Sequence, residues 1–122
     1  MGMIWNSDGF RDPGKHLFVK ESIREHRLDF LAILETGRSN FTVPFLSGLA
    51  AGKDFNWFCH PPHGCSGGIL VGISIETLQV KNVVIGDFCV KMHIRCKNDG
   101  FEWILTPVYG AAQDSNKPDF SR

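Results

Sequence analysis

The sequence has no excess of charge of either sign. Lys plus Arg is 13 and Asp plus Glu is 13 in 122 residues, so the formal net charge is zero. That balance removes the electrostatic footprint of a nonspecific nucleic-acid or membrane-surface binder. No stretch approaches the ~20 consecutive apolar residues of a membrane-spanning helix. The first residues, MGMIWNSDGF, carry no basic segment and no long apolar core, so they do not read as a secretory signal. No repeat and no low-complexity tract is present. There is a single tyrosine, and only four cysteines. With no secretory signal, those cysteines are expected as free thiols in a reducing, intracellular compartment, nuclear and cytoplasmic placement being equally compatible.

What is present fits one domain with one core. The apolar fraction of 43% is that of an ordinary globular chain. Lys15, Lys20, Arg24 and Arg27 fall close together, but Glu21 and Glu25 lie among them. The cluster therefore reads as a solvated helix face rather than a basic patch.

The chain is organised around Phe30 to Gly37, FLAILETG. An apolar run this short, closed by Thr36 and Gly37, predicts a buried strand of a partly parallel sheet. Glu35 stands where that strand ends, and ligands of open α/β sheets bind just beyond the carboxyl ends of strands. A carboxylate there can hold a hard divalent cation or act as a base. It can equally be a surface Glu satisfied by water, and spacing alone leaves both readings open.

Met3 to Asn6 predicts a short strand with a polar group at its end, and Asp8-Gly9 a turn. Asp12-Pro13-Gly14 opens a helix, with Asp12 as N-cap and Pro13 in the first turn. Phe18, Val19, Ser22, Ile23 and His26 recur at helical spacing, and the helix stops near Arg27. Strand, helix and strand make a crossover unit, whose parallel strands bring Asn6 and Glu35 to one sheet edge. Val43 to Ala51 predicts a second, short helix. Phe55 to Cys59, Ile69 to Ile75, Leu78 to Ile85, Phe88 to Arg95 and Phe101 to Tyr109 read as strands. Gly86-Asp87 and Asn98-Asp99-Gly100 are the turn signals among the last of them. Val90, Met92 and Ile94 alternate with Lys91, His93 and Arg95, the mark of a strand with one wet face. Residues 111–122 are polar and show no folding pattern.

Trp5-Asn6 before a Gly turn, a crossover helix, Leu34-Glu35-Thr36, Ser66-Gly67-Gly68-Ile69 and Thr106-Pro107-Val108-Tyr109-Gly110 occur in this order. The ordered set over residues 3–110 resembles the endonuclease/exonuclease/phosphatase superfamily. More narrowly, it resembles the N-terminal half of the endonuclease domain of plant LINE-type, non-LTR retrotransposon polyproteins. The resemblance implies an α/β (α+β) fold: half of a four-layer α/β sandwich, a mixed β-sheet with helices on one face. It implies a partial domain over residues 1–110 followed by a truncated, disordered tail over 111–122.

The resemblance also implies site residues. Asn6 stands at the family's first-strand Asn, which helps hold metal and phosphate. Glu35 stands at its metal-binding Glu, for which Mg²⁺ is the implied cation. Tyr109 stands at its active-site Tyr, against the scissile phosphate of a DNA partner. Three departures matter. The family's Gly-Asp-x-Asn motif after the Tyr strand and its C-terminal Ser-Asp-His motif have no counterpart. Gly86-Asp87-Phe88 precedes Tyr109 in a hairpin turn and has Cys89 in place of Asn, so it is a decoy. Cys65 stands where relatives carry Arg. The expectations are a phosphodiesterase-like chain that is inactive alone, and a sheet face left bare and prone to self-association.

One constellation lies outside that resemblance. Cys59-His60-Pro61-Pro62-His63-Gly64-Cys65 packs four zinc-ligand side chains into seven residues. The spacing matches no established finger. The competing reading is a noncatalytic binding module, zinc-stabilised through the Cys59–Cys65 loop.

Overall fold

The computed structural model describes residues 1–62, 67–87, 89–108 and 119–121. Among these residues eight strands and two helices follow one another as β1 (Gly2–Asn6), α1 (Pro13–His26), β2 (Phe30–Leu34), α2 (Val43–Leu49), β3 (Phe55–His60), β4 (Ile69–Ser74), β5 (Leu78–Ile85), β6 (Val90–Cys96), β7 (Glu102–Leu105) and β8 (Asp119–Ser121). They form a mixed five-stranded sheet of order β3-β4-β2-β1-β8 and an antiparallel three-stranded sheet of order β5-β6-β7. The α/β class and the mixed sheet with helices on one face are as expected.

The crossover unit forms for the local reasons its sequence gives. Asp12 takes extended backbone angles, and its side chain accepts from the Gly14 amide at 2.8 Å. Val19, Ser22 and Ile23 form the buried face of α1. The helix ends where Arg27 turns left-handed, at φ 49°, and returns its N–H to the Ile23 carbonyl. β2 is buried along its whole length and pairs in parallel with β1.

Alternation splits β2 between two cores. Leu31 and Ile33 join Met3, Trp5, Val19, Ile23 and Leu49 on the helical side. Phe30, Ala32 and Leu34 join Val90, Met92, Ile94 and Leu105 on the other. The inner face is therefore not bare. The apolar rows of β5, β6 and β7 cover it, which corrects the expectation of a bare sheet face. Among the described residues an apolar groove remains at one end of the sandwich, lined by Ile4, Phe30, Leu78, Phe101, Trp103 and Leu105.

Two further differences have plain causes. The expected strand Phe101 to Tyr109 is cut to Glu102–Leu105, because Pro107 has no N–H to give the ladder. Its carbonyl still accepts from the Val90 amide at 3.1 Å, and Val108 bridges Cys89. A one-residue bulge at Lys81 shifts the β5–β6 register between Val80 and Asn82. Asp119–Ser121 pairs antiparallel with β1. No helix among the described residues is long and apolar enough to cross a membrane.

Candidate functional site

The rim at the carboxyl ends of β1 and β2 is set by register. Asn6 pairs with Leu34, so Glu35 follows one step beyond the residue opposite Asn6. The two sequence-nominated residues are thus on neighbouring strands at the same edge.

The loops leaving these strands are sewn together by backbone hydrogen bonds. Ser7 N–H donates to Leu34 O at 3.0 Å, Gly9 to Glu35 O at 2.7 Å and Phe10 to Thr36 O at 2.9 Å. On the other side Thr36 N–H donates to Gly68 O at 3.1 Å and Gly37 N–H to Gly67 O at 2.9 Å. Glycine at position 68 is required by this closeness. A Cβ on Gly68, at φ 94°, would lie 2.5 Å from Thr36 Oγ1.

Two non-glycine residues at this rim are left-handed, Asp8 at φ 51° and Glu35 at φ 53°. Aspartate adopts this conformation readily in a turn, but for Glu35 it costs about 1–2 kcal/mol, and strain of this kind clusters at ligand sites. Asn6 Oδ1 accepts from Asp8 N–H at 3.1 Å, which holds the turn and leaves the amide NH₂ unengaged among the described residues. The half-buried Glu35 carboxylate makes no hydrogen bond or ion pair among the described residues. An acceptor-only group held in strain without a donor is suited to a cation.

Three basic side chains frame the rim. Lys15 Nζ donates to the carbonyls of Ser7 at 2.7 Å, Gly9 at 3.0 Å and Asp8 at 3.3 Å, closing the loop that carries Asn6. Lys15 is therefore no part of a solvated helix face. Its signal was its position three residues after the Asp12 cap, in the turn that abuts this loop. Arg11 donates to Gly37 O at 3.0 Å, and Arg38 to Phe10 O at 3.2 Å and Asn40 O at 3.3 Å. The Arg38 guanidinium also lies 4.8 Å from the ring centroids of Phe41 and Phe45. Both arginines line a cavity of about 370 Å³ with Gly37, Ser39, Asn40 and Pro62. Sequence reasoning passed over Arg11 and Arg38, because their role depends on which loop carbonyls they meet.

The decoy turn comes to the same end of the molecule. Leu34 pairs with Ile69, and Ile69 with His60. His60 Nε2 lies 2.6 Å from the Gly86 carbonyl oxygen and Nδ1 lies 2.9 Å from that of Pro61. Tyr109 lies outside the described residues, as do His63, Cys65 and Ser66.

Cys59 and His60 do not converge. They are consecutive on β3, so they face opposite sides of the sheet. Cys59 packs with the helical-side core, while His60 reaches the β5–β6 turn. Burial pushes the Cys59 thiol up, away from the thiolate a metal needs. No group of three His, Cys, Asp or Glu side chains that could hold a metal occurs among the described residues.

No family model and no curated protein matches the sequence. Solved structures do match the fold. The human Nocturnin catalytic domain with bound sulfate anion superposes with a TM-score of 0.65 at 16% identity, over 86% of this chain and 47% of that one. The AP endonuclease LMAP from Leishmania major gives 0.64 at 12% identity, over 88% and 39% respectively. Both have the endonuclease/exonuclease/phosphatase fold, and this chain shares it. The chain spans less than half the length of either.

Proposed function

We propose that the Asn6–Glu35 rim is part of the cation- and phosphate-binding centre of a Mg²⁺-dependent phosphodiesterase of DNA-endonuclease type. We further propose a descent from a plant LINE-type retrotransposon endonuclease. The observation that carries the first reading is Glu35 itself: a half-buried, left-handed carboxylate without a partner among the described residues, beside the register position of Asn6.

The donor set fits the ion. Mg²⁺ takes few carboxylates and keeps several waters, and one Glu with an Asn amide at an exposed rim meets that need. Glu35 would hold the cation, and the free lone pair of Asn6 Oδ1 would take one of its waters. A bound Mg²⁺ supplies charge stabilisation at the phosphodiester and its leaving oxygen. Asn6 Nδ2 donates to a phosphate oxygen, and Lys15 keeps that amide in place by closing its loop. Arg11 and Arg38 set positive charge beside the same rim, where a nucleic-acid backbone gains from it. Tyr109 contacts the scissile phosphate.

These residues do not amount to a complete hydrolytic centre. Cleavage needs a base for the attacking water and a phosphate clamp in the same cleft. The chain carries neither the Gly-Asp-x-Asn nor the Ser-Asp-His set that the resemblance calls for, so residues 1–122 alone bind the cation and do not cut. The test is an NMR titration with Mn²⁺ followed by a plasmid-nicking assay. Broadening centred on Asn6 and Glu35, abolished by Glu35→Gln and accompanied by no nicking, is expected. Failure to broaden these amides at millimolar Mn²⁺ sinks the cation site. Nicking abolished by Glu35→Gln sinks the inactivity.

A further inference from the structure

Trp103 of β7 lies against Phe30 of β2, with ring centroids 5.0 Å apart, so β7 runs over β2. Counting through β6 to β5 in one sheet, and through β4 to β3 in the other, places β5 over β3. His60, at the end of β3, meets the Gly86 carbonyl just after β5, as that stacking requires. On this side the two sheets end flush, so neither overhangs the other's edge.

β3 is the outermost strand of the larger sheet, and its outer edge has no strand partner among the described residues. Ile75 N–H donates to Asp54 O at 3.0 Å, so the backbone of Asp54 points to β4. By antiparallel alternation the backbone groups of Asn56 and Phe58 do the same, and those of Phe55, Trp57 and Cys59 point outward. Sheet edges are ordinarily blunted by shortness, charge, proline or a bulge. β8 has three residues, β5 has the bulge at Lys81, and β7 has four residues with Pro107 close behind. The β3 segment FNWFCH has no charged Asp, Glu, Lys or Arg and no proline, and its register against β4 is unbroken from Phe55 to His60. The Trp57 ring leaves this edge clear, because it folds back over Gly72 of β4, where a Cβ would lie 2.6 Å from it.

Apolar surface continues from the edge onto α2. A cavity of about 350 Å³ between the two elements is lined by Val43, Leu46, Phe55 and Trp57. Val43 is 76% exposed. The Phe55 and Trp57 rings stack along the wall, with centroids 5.6 Å apart.

We propose that β3 pairs antiparallel with β3 of a second copy of this chain, about a twofold axis at Trp57, so that one continuous sheet runs through a homodimer. The register argues for a copy rather than a foreign strand. With Trp57 opposite its mate, Phe55 falls opposite Cys59, and every outward N–H and C=O of these residues meets its complement. Asn56 then falls opposite Phe58, Asp54 opposite His60 and Lys53 opposite Pro61, so no charged side chain meets its own sign. The axis stands perpendicular to the sheet. It therefore brings the mate's α2 to the same side of the seam as the apolar wall of Val43 and Leu46, which an isolated strand would leave open. The inference is independent of the cation site.

The test follows the whole chain by sedimentation from micromolar to millimolar concentration, with amide exchange read by NMR. A monomer–dimer equilibrium is expected. The amides of Phe55, Trp57 and Cys59 should slow at high concentration, and those of Glu102 and Ile104 on the β7 edge should not. Asn56→Lys, at an exposed side chain, should weaken association by roughly tenfold or more, because an ammonium enters the seam twice. The same variant should keep the urea midpoint of the dilute chain. Phe55→Pro removes an outward N–H at the first residue of the strand, where proline is tolerated, and should abolish the dimer. A dimer that leaves the three amides unslowed, or one indifferent to Asn56→Lys, overturns the proposal. So does a chain that stays monomeric throughout, including one whose three amides are slowed only by an added strand peptide, which would make a foreign strand the occupant.

Discussion

The hydroxyl of Ser7 donates to the carbonyl oxygens of both Leu34, at 3.0 Å, and Glu35, at 3.2 Å. Ser7 is 1% exposed, so this fork ties the loop after β1 to the end of β2 in a place water does not reach. Ser7→Ala is expected to cost about 1 kcal/mol, the net worth of a buried hydrogen bond, since the Leu34 carbonyl keeps its bond from the Ser7 amide. Urea unfolding measures it, as a lower midpoint at an unchanged slope.

Glu35 gives a sharper contrast. Its carboxylate has no partner among the described residues, so Glu35→Gln should shift stability by no more than about 0.5 kcal/mol while ending Mn²⁺ broadening at the rim. Glu35→Gly should go further and raise stability by about 1 kcal/mol, because glycine takes φ 53° without strain. A stabilised but cation-blind variant, read by thermal unfolding and titration together, is the outcome expected of a strained functional residue.

Gly68→Ala should fail in the opposite direction. The new Cβ meets Thr36 Oγ1 at 2.5 Å and sits at φ 94°, a region alanine avoids. A loss of about 1–3 kcal/mol is expected, with exchange of the Thr36 and Gly37 amides accelerated because their acceptors on Gly68 and Gly67 move. Unchanged exchange at those two amides would count against the stitched rim.

Cys59 predicts the alkaline limit of stability. Burial raises its thiol in the folded chain above its unfolded value. The folded state then holds the proton where the unfolded state has lost it, so stability falls as pH rises through the usual thiol range and beyond. Cys59→Ala should flatten that alkaline slope in urea unfolding measured from pH 8 upward. Iodoacetamide should modify Cys59 in the native chain more slowly than it modifies a free cysteine peptide.

Much of the site's frame was legible in the sequence, for reasons that act over a few residues. Asp12 before Pro13 fixed where α1 starts, and the helical spacing of Val19, Ser22 and Ile23 fixed the face it buries. The short run FLAIL, closed by Thr36 and Gly37, reads as a buried strand, and a helix between two strands makes them parallel. From these local rules Asn6 and Glu35 followed to one edge. The period of two along Val90, Met92 and Ile94 likewise showed a strand with a single apolar face.

Tertiary structure alone decided what that face would meet. The same alternation serves a strand added to the first sheet or one packed across it, and only long-range pairing chose the second and covered Phe30, Ala32 and Leu34. The fates of Lys15, Arg11 and Arg38 were decided in the same way, by carbonyls brought near through folding. Side-chain periodicity encodes which way a residue faces along its own element. Which backbone stands opposite is fixed by hydrogen bonds and packing between segments distant in sequence, and no local pattern carries that.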